Sequence, residues 1–117
     1  MENEVKLLGG VCKLVFTYYP NRTVAIIATL ISTGEEWCVP TVNYERFYQG
    51  YSYRKQLAFP NVVVKNYSEN DGVYQQLVDA EVIIPGPYLA GSGGTVIAGT
   101  LTEKWQQLAQ EQLKKAK

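Results

Sequence analysis

The 117-residue chain has no histidine, so it lacks the side chain that most often acts as general base, nucleophile partner and metal ligand. Ser-His-Asp and Cys-His arrangements are thereby excluded. Its two cysteines fall short of an ordinary four-ligand zinc site. Neither sign of charge is in excess, because 11 basic residues balance 11 acidic ones. A general phosphate-backbone binder needs surplus Lys and Arg, and a nucleic-acid mimic needs surplus carboxylate, so both classes are disfavoured. No stretch approaches about 18 uninterrupted apolar residues, which argues against a membrane-spanning helix. The residues after Met1 are Glu2, Asn3 and Glu4 rather than the basic region and apolar run of a signal peptide. A cytoplasmic location is expected, and the Asn-x-Ser/Thr triplets at Asn21 and Asn66 read as chance.

What is present belongs to an ordinary globular protein, with 46% hydrophobic and 19% charged residues. A chain of this size forms one domain, 1–117, and buries roughly 65% of its unfolded surface. The most organised stretch is Asn61 to Ile83. Val62, Val63 and Val64 are β-branched and suit a packed strand. Ser68 stands at an N-cap position with Asp71 three residues on, a variant of the capping box. Glu69 and Asp71 place negative charge at the positive end of the helix dipole. Val73, Tyr74, Leu77 and Val78 follow as one apolar stripe.

Upstream, residues 11–18 alternate, with Leu14 and Phe16 toward a core and Lys13 and Thr17 toward water. Tyr19-Pro20-Asn21-Arg22 signals a turn. Thr23 to Ser32 is apolar on both faces, the mark of a central strand covered on both sides. A second turn at Thr33-Gly34-Glu35 leads to a third strand from Trp37 to Tyr44, where Pro40 implies an edge or a bulge. In this meander Cys12 and Cys38 sit on strands one and three, about 10 Å apart, too far for a disulfide. Two buried thiols are expected, and a different strand order reopens the question. Downstream, Pro85-Gly86-Pro87 reads as a firm break and Thr95 to Leu101 as a last strand weakened by Gly99. Thr102 and Glu103 open a C-terminal helix, about 102–117, with Trp105, Leu108, Ala109 and Leu113 on one face. Lys114, Lys115 and Lys117 stand at its end, where the dipole favours cations.

These pieces resemble a family of small proteins of unknown function carried by bacterial phages and integrative mobile elements. The likeness rests on Thr41-Val42-Asn43 and on Lys65-Asn66-Tyr67-Ser68-Glu69-Asn70-Asp71-Gly72. It covers about residues 12–101 and leaves the C-terminal helix outside. No activity comes with the resemblance. It implies a setting, a bacterial mobile element.

Searching for chemistry gives little. Gly91 to Gly94 is not a phosphate loop, because no G-K-S/T follows and a strand comes next. Asn66, Ser68 and Asn70 with Gly72 match part of a calcium loop, but its twelfth position is Leu77, so a capping corner is favoured. Glu35, Glu36, Asp79 and Glu81 lack the apolar setting that raises a carboxyl pKa. No enzymatic activity and no cofactor are expected.

From Tyr44 to Tyr53, five of ten residues are aromatic. Tyr44, Phe47, Tyr48, Tyr51 and Tyr53, with Arg46, Arg54 and Lys55, are the candidate partner-binding residues. Three readings stay open. The rings close the sheet, they form a protein-binding surface, or they stack on single-stranded nucleic acid. The reading chosen is an α+β domain with an antiparallel meander of about five strands, one packed amphipathic helix and a C-terminal helix. Its core spans about 11–101. Its expected function is non-enzymatic binding of a host or phage protein, with inhibition of a host defence or regulatory protein as the specific form. A single-stranded nucleic-acid module is the alternative. A homodimer burying the second face of the central strand is a third reading.

Overall fold

The computed structural model describes residues 4–20, 23–42, 59–89 and 96–115. The fold is α+β, as expected, but its strands form two antiparallel sheets rather than one. The first sheet has the order β1-β2-β3-β4. Strands β1 (Glu4–Leu7) and β2 (Gly10–Tyr18) make a hairpin closed by Leu8 and Gly9, at φ 51° and 86°. Positive φ at both central residues matches the twist of paired strands. Gly9 adopts it freely. Leu8 is anchored there by Gln76, whose Oε1 accepts from the Leu8 amide at 2.9 Å.

β3 (Val24–Leu30) runs beside β2, and β4 (Glu36–Cys38) beside β3. The three-strand meander expected from Val11 onward is therefore present, with β1 added ahead of it. Of the two expected turns, Thr33-Gly34-Glu35 joins β3 to β4, while Asn21 and Arg22 of the other lie outside the described residues. The Tyr19 amide donates to the Thr23 carbonyl at 2.9 Å, and Gly34 takes φ 78°. Val24, Ala25, Ile26 and Ala28 of β3 are buried and Ile27 is half-buried, so apolar residues on both faces are covered to different degrees. Cys12 and Cys38 are free, buried thiols on β2 and β4 with β3 between them.

The third strand stops at Cys38, well short of Tyr44. Pro40 has no N–H to continue a ladder, and its carbonyl instead accepts from the Lys65 amide at 2.8 Å. The Val42 amide donates to the Val63 carbonyl at 3.1 Å, and Thr41 bridges Val64. This segment thus leaves the first sheet and runs along the second. The Thr41 hydroxyl stays behind in function. Its Oγ1 accepts from the Ile26 amide at 3.0 Å and shares a hydrogen bond with the Tyr19 hydroxyl at 3.1 Å. It satisfies the β3 edge where β4 has ended.

The second sheet has the order β5-β7-β6. It contains β5 (Asn61–Lys65), β6 (Ile83–Leu89) and β7 (Val96–Leu101). Pro85-Gly86-Pro87, expected to break the chain, lies inside β6. The prolines are tolerated because β6 is an edge strand whose register shifts between Pro85 and Tyr88. Gly86 is needed for close approach, since a Cβ there would lie 2.7 Å from the Ala98 carbonyl oxygen.

The corner after β5 also differs from expectation. Ser68 does not cap the helix. It has φ 57° and opens a single 3₁₀ turn, Ser68–Asn70, while helix α1 spans Val73–Asp79. The turn carries the chain back past Asn66, whose Oδ1 accepts from the Gly72 and Tyr74 amides at 3.1 and 3.0 Å. Asn66 is therefore the side chain that caps α1. Glu69 pairs with Lys65 at 2.7 Å instead of meeting the helix end. The apolar stripe is present as read, with Val73 and Leu77 fully buried and Tyr74 and Val78 half-buried.

Helix α2 (Glu103–Lys115) buries Trp105, Ala109 and Leu113. The Trp105 ring centroid lies 6.2 Å from that of Phe16. Among the described residues, β2 has no β1 partner beyond Lys13, and α2 lies against that edge. Gln112 Oε1 accepts from the Phe16 amide at 2.8 Å, and its Nε2 lies 3.5 Å from the Leu14 carbonyl oxygen. Residues of the first sheet, of β5, β6 and β7, and of both helices meet in one core cluster.

Candidate binding site

The eight candidate residues of the sequence reading, Tyr44, Arg46, Phe47, Tyr48, Tyr51, Tyr53, Arg54 and Lys55, lie outside the described residues. The described residues offer a different candidate, centred on Trp37. Strand β4 reads exposed Glu36, exposed Trp37, buried Cys38. The register shifts here, with Cys38 opposite Ala28 and Glu36 opposite Thr29, so Trp37 is an extra residue between them and stands outside the core with Glu36. The Trp37 indole is 43% exposed, large for an aromatic of its size.

It is nevertheless fixed. Its Nε1 donates to the Leu7 carbonyl at 2.9 Å, tying β4 to the first hairpin. Gly10 provides the space, because a Cβ there would lie 2.9 Å from the Trp37 Nε1 and 2.7 Å from Leu30 Cδ2. Val11 and Ile31, 50% and 46% exposed, stand nearby, with the Ile31 amide donating to the Val11 carbonyl at 3.1 Å. Together with Gly10, Leu30 and Trp37 they line an open, mainly apolar groove of about 480 Å³.

Trp37 also walls a second concavity of about 430 Å³, between β4 and the 3₁₀ turn. Leu8, Glu36, Cys38, Glu69 and Asn70 contribute to its lining. Asn70 is only 1% exposed. Its Nδ2 donates to the Val39 carbonyl at 2.7 Å, but its buried Oδ1 has no hydrogen-bond partner. A buried acceptor without a donor is uncommon in folded proteins and costly.

The ionisable groups here are tuned away from covalent chemistry. The Cys38 thiol is pushed up to about 11, chiefly by burial, with Cys12 and Glu36 adding to the shift. Near neutral pH it is a thiol, and the thiolate is the nucleophile. Burial also raises Cys12 and Tyr19. Hydrogen bonding to Lys65 holds the Glu69 carboxyl at about 2, so that it is ionised over the ordinary pH range. Among the described residues no three of His, Cys, Asp and Glu are grouped to hold a metal ion, and no helix is long and apolar enough to cross a membrane.

Sequence reasoning missed this site, since it set Glu36 aside as a carboxylate without an apolar setting and Asn70 as part of a capping corner. The approach of Leu8, Trp37 and Asn70 has no local signal, because three separate segments converge there. The chain matches no protein-family model, and searches of curated proteins and of solved structures give no match.

Proposed function

We propose that the protein is a non-enzymatic module that binds another protein through the surface around Trp37. The observation that carries this reading is an exposed indole anchored by its own N–H and flanked by exposed Val11 and Ile31. Such an aromatic loses little conformational freedom on binding, and Trp is the residue type most enriched at interface hot spots. Isolated exposed apolar residues are ordinary, whereas a rigid aromatic beside aliphatic neighbours and a groove has the form of a contact site. The sequence resemblance supports a partner of host or phage origin, with inhibition of a host defence or regulatory protein as the specific role.

A photo-crosslinking amino acid placed at Ile31, expressed in a bacterial host, tests the reading. A discrete cross-linked protein is expected, and it should disappear when Trp37 is also changed to Ala. An unchanged cross-link in the Trp37→Ala protein, with circular dichroism showing an intact fold, would overturn the assignment.

A further inference from the structure

We infer that Gln76, on helix α1, is a positioning residue for the contact surface: it orients the Leu7–Leu8 peptide group, and that group holds the Trp37 indole. The inference rests on the reading of this protein as a binding module, and it names what sets the geometry of its central side chain.

Two hydrogen bonds meet on one peptide group. The Leu8 N–H donates to Gln76 Oε1 at 2.9 Å, and the Leu7 carbonyl accepts from Trp37 Nε1 at 2.9 Å. That N–H and that C=O belong to the same planar trans unit, in which they point to opposite sides. Fixing the direction of the N–H therefore fixes the direction of the C=O. Each bond also polarises the amide in the sense that strengthens the other. A helix and a strand distant in sequence are joined through this single group.

The peptide needs such a hold. Leu8 has φ 51°, in the left-handed region that disfavours a residue with a Cβ. Leu8 and Gly9 are the whole connection between β1 and β2. A turn that relaxed Leu8 toward negative φ would swing the Leu7–Leu8 peptide and release both bonds. Gln76 is itself well placed for the task. It is half-buried beside Val73 and Leu77, which are fully buried and fix the rotation of α1 about its axis. Its neighbour Gln75 is exposed and bonds Asp79 instead, at 2.8 Å. The same residue type one position earlier thus provides an internal control. At the other end the indole lies against Gly10, where a Cβ would come within 2.9 Å of Nε1. The exposed part of Trp37 is thereby presented beside Val11 and Ile31 in one orientation.

The test uses the full chain and follows its two indole N–H resonances, of Trp37 and Trp105, by NMR. Gln76→Met keeps the side-chain length and removes the acceptor. It should shift the Trp37 resonance and speed exchange of that proton with water about tenfold, the scale of one lost hydrogen bond. Exchange at Trp105 should stay as it was. Gln76→Glu restores an acceptor and should return both Trp37 readings to those of the parent, and Gln75→Met should change neither. A folded Gln76→Met protein with an unmoved Trp37 resonance, equal effects of the Met and Glu variants, or the same change in Gln75→Met overturns the inference. Should Gln76→Met fail to fold, the reverse direction decides. Trp37→Phe removes the indole donor from an exposed site, and the Leu8 amide should then exchange about tenfold faster, whereas an unchanged rate overturns the inference. The Ile31 cross-link separates this role from the binding reading. Gln76→Met should cut its yield and Gln76→Glu should keep it, and a yield untouched by Gln76→Met overturns the positioning role. A cross-link absent from the parent itself sinks the binding module, and the indole resonances then judge Gln76 alone.

Discussion

Removing the Gln112 amide should destabilise this protein through a strand edge rather than through the helix that carries it. Among the described residues, strand β2 is covered by β1 only as far as Lys13. Past that point the Phe16 N–H and Leu14 C=O project toward α2, where Gln112 stands in for a neighbouring strand. The two bonds are unequal. The Phe16 contact, at 2.8 Å, has full hydrogen-bond geometry, while the Leu14 contact, at 3.5 Å, lies at the outer limit. Leaving one partly buried amide without its acceptor costs about 1–2 kcal/mol, and the weaker contact adds little.

Gln112→Met keeps most of the side-chain volume and removes both bonds, so it should lose about 1–2 kcal/mol in urea unfolding. Near 4 °C per kcal/mol for a chain of this size, the melting temperature should fall by about 4–8 °C. Gln112→Glu retains an acceptor for Phe16 and should recover most of the loss. Trp105→Ala, two turns earlier on nearly the same side of α2, should cost about 3–5 kcal/mol by emptying core volume, which sets the scale for α2 packing as a whole. The uncovered edge should also show itself as concentration-dependent association in the Met variant, since unpaired strand edges template pairing. Equal stabilities for the Met and Glu variants, or a Met variant as stable as the parent, would refute the edge argument.

Two further outcomes follow from the corner after β5. Asn66→Ala should cost about 1–2 kcal/mol, because it strips one acceptor from two amides at the start of α1, while Asn66→Asp should lose much less. Urea unfolding of both variants checks this, and equal losses would count against Asn66 as the cap. The Lys65–Glu69 pair predicts a pH response with a definite sign. Hydrogen bonds from Lys65, then from the Glu69 backbone and the Ser68 side chain, lower the Glu69 carboxyl from 4.5 to about 2. A depressed carboxyl contributes stability above its unfolded value and loses it as pH falls from about 4.5 toward 2. An NMR titration should place the Glu69 midpoint near the lower value, and Lys65→Met should return it toward 4.5.

The elements legible in the sequence are those whose cause is local. The 62–64 valines, the 73–78 stripe and the Leu14/Phe16 alternation each declare a period within a few residues, and each element forms. The split into two sheets had no such signal. It depends on β5 pairing with β7, placing Val63 opposite Ala98, and on Pro40 turning its carbonyl to Lys65. The capping motif failed for a related reason. A Ser-x-x-Asp spacing presumes that the helix begins at once, whereas a 3₁₀ turn intervenes and hands the role to Asn66.

The site follows the same logic at longer range. Composition draws attention to the aromatic run between Tyr44 and Tyr53, because ring density is visible without folding. A lone Trp37 on a three-residue strand has no density to notice. Its standing comes from what surrounds it: a carbonyl at Leu7, a missing side chain at Gly10, and the exposed side chains of Val11 and Ile31. Those contacts span sequence separations that no window covers. A rigid exposed aromatic beside exposed aliphatic side chains is a property of the fold, and the cross-link from Ile31 tests whether this protein uses it.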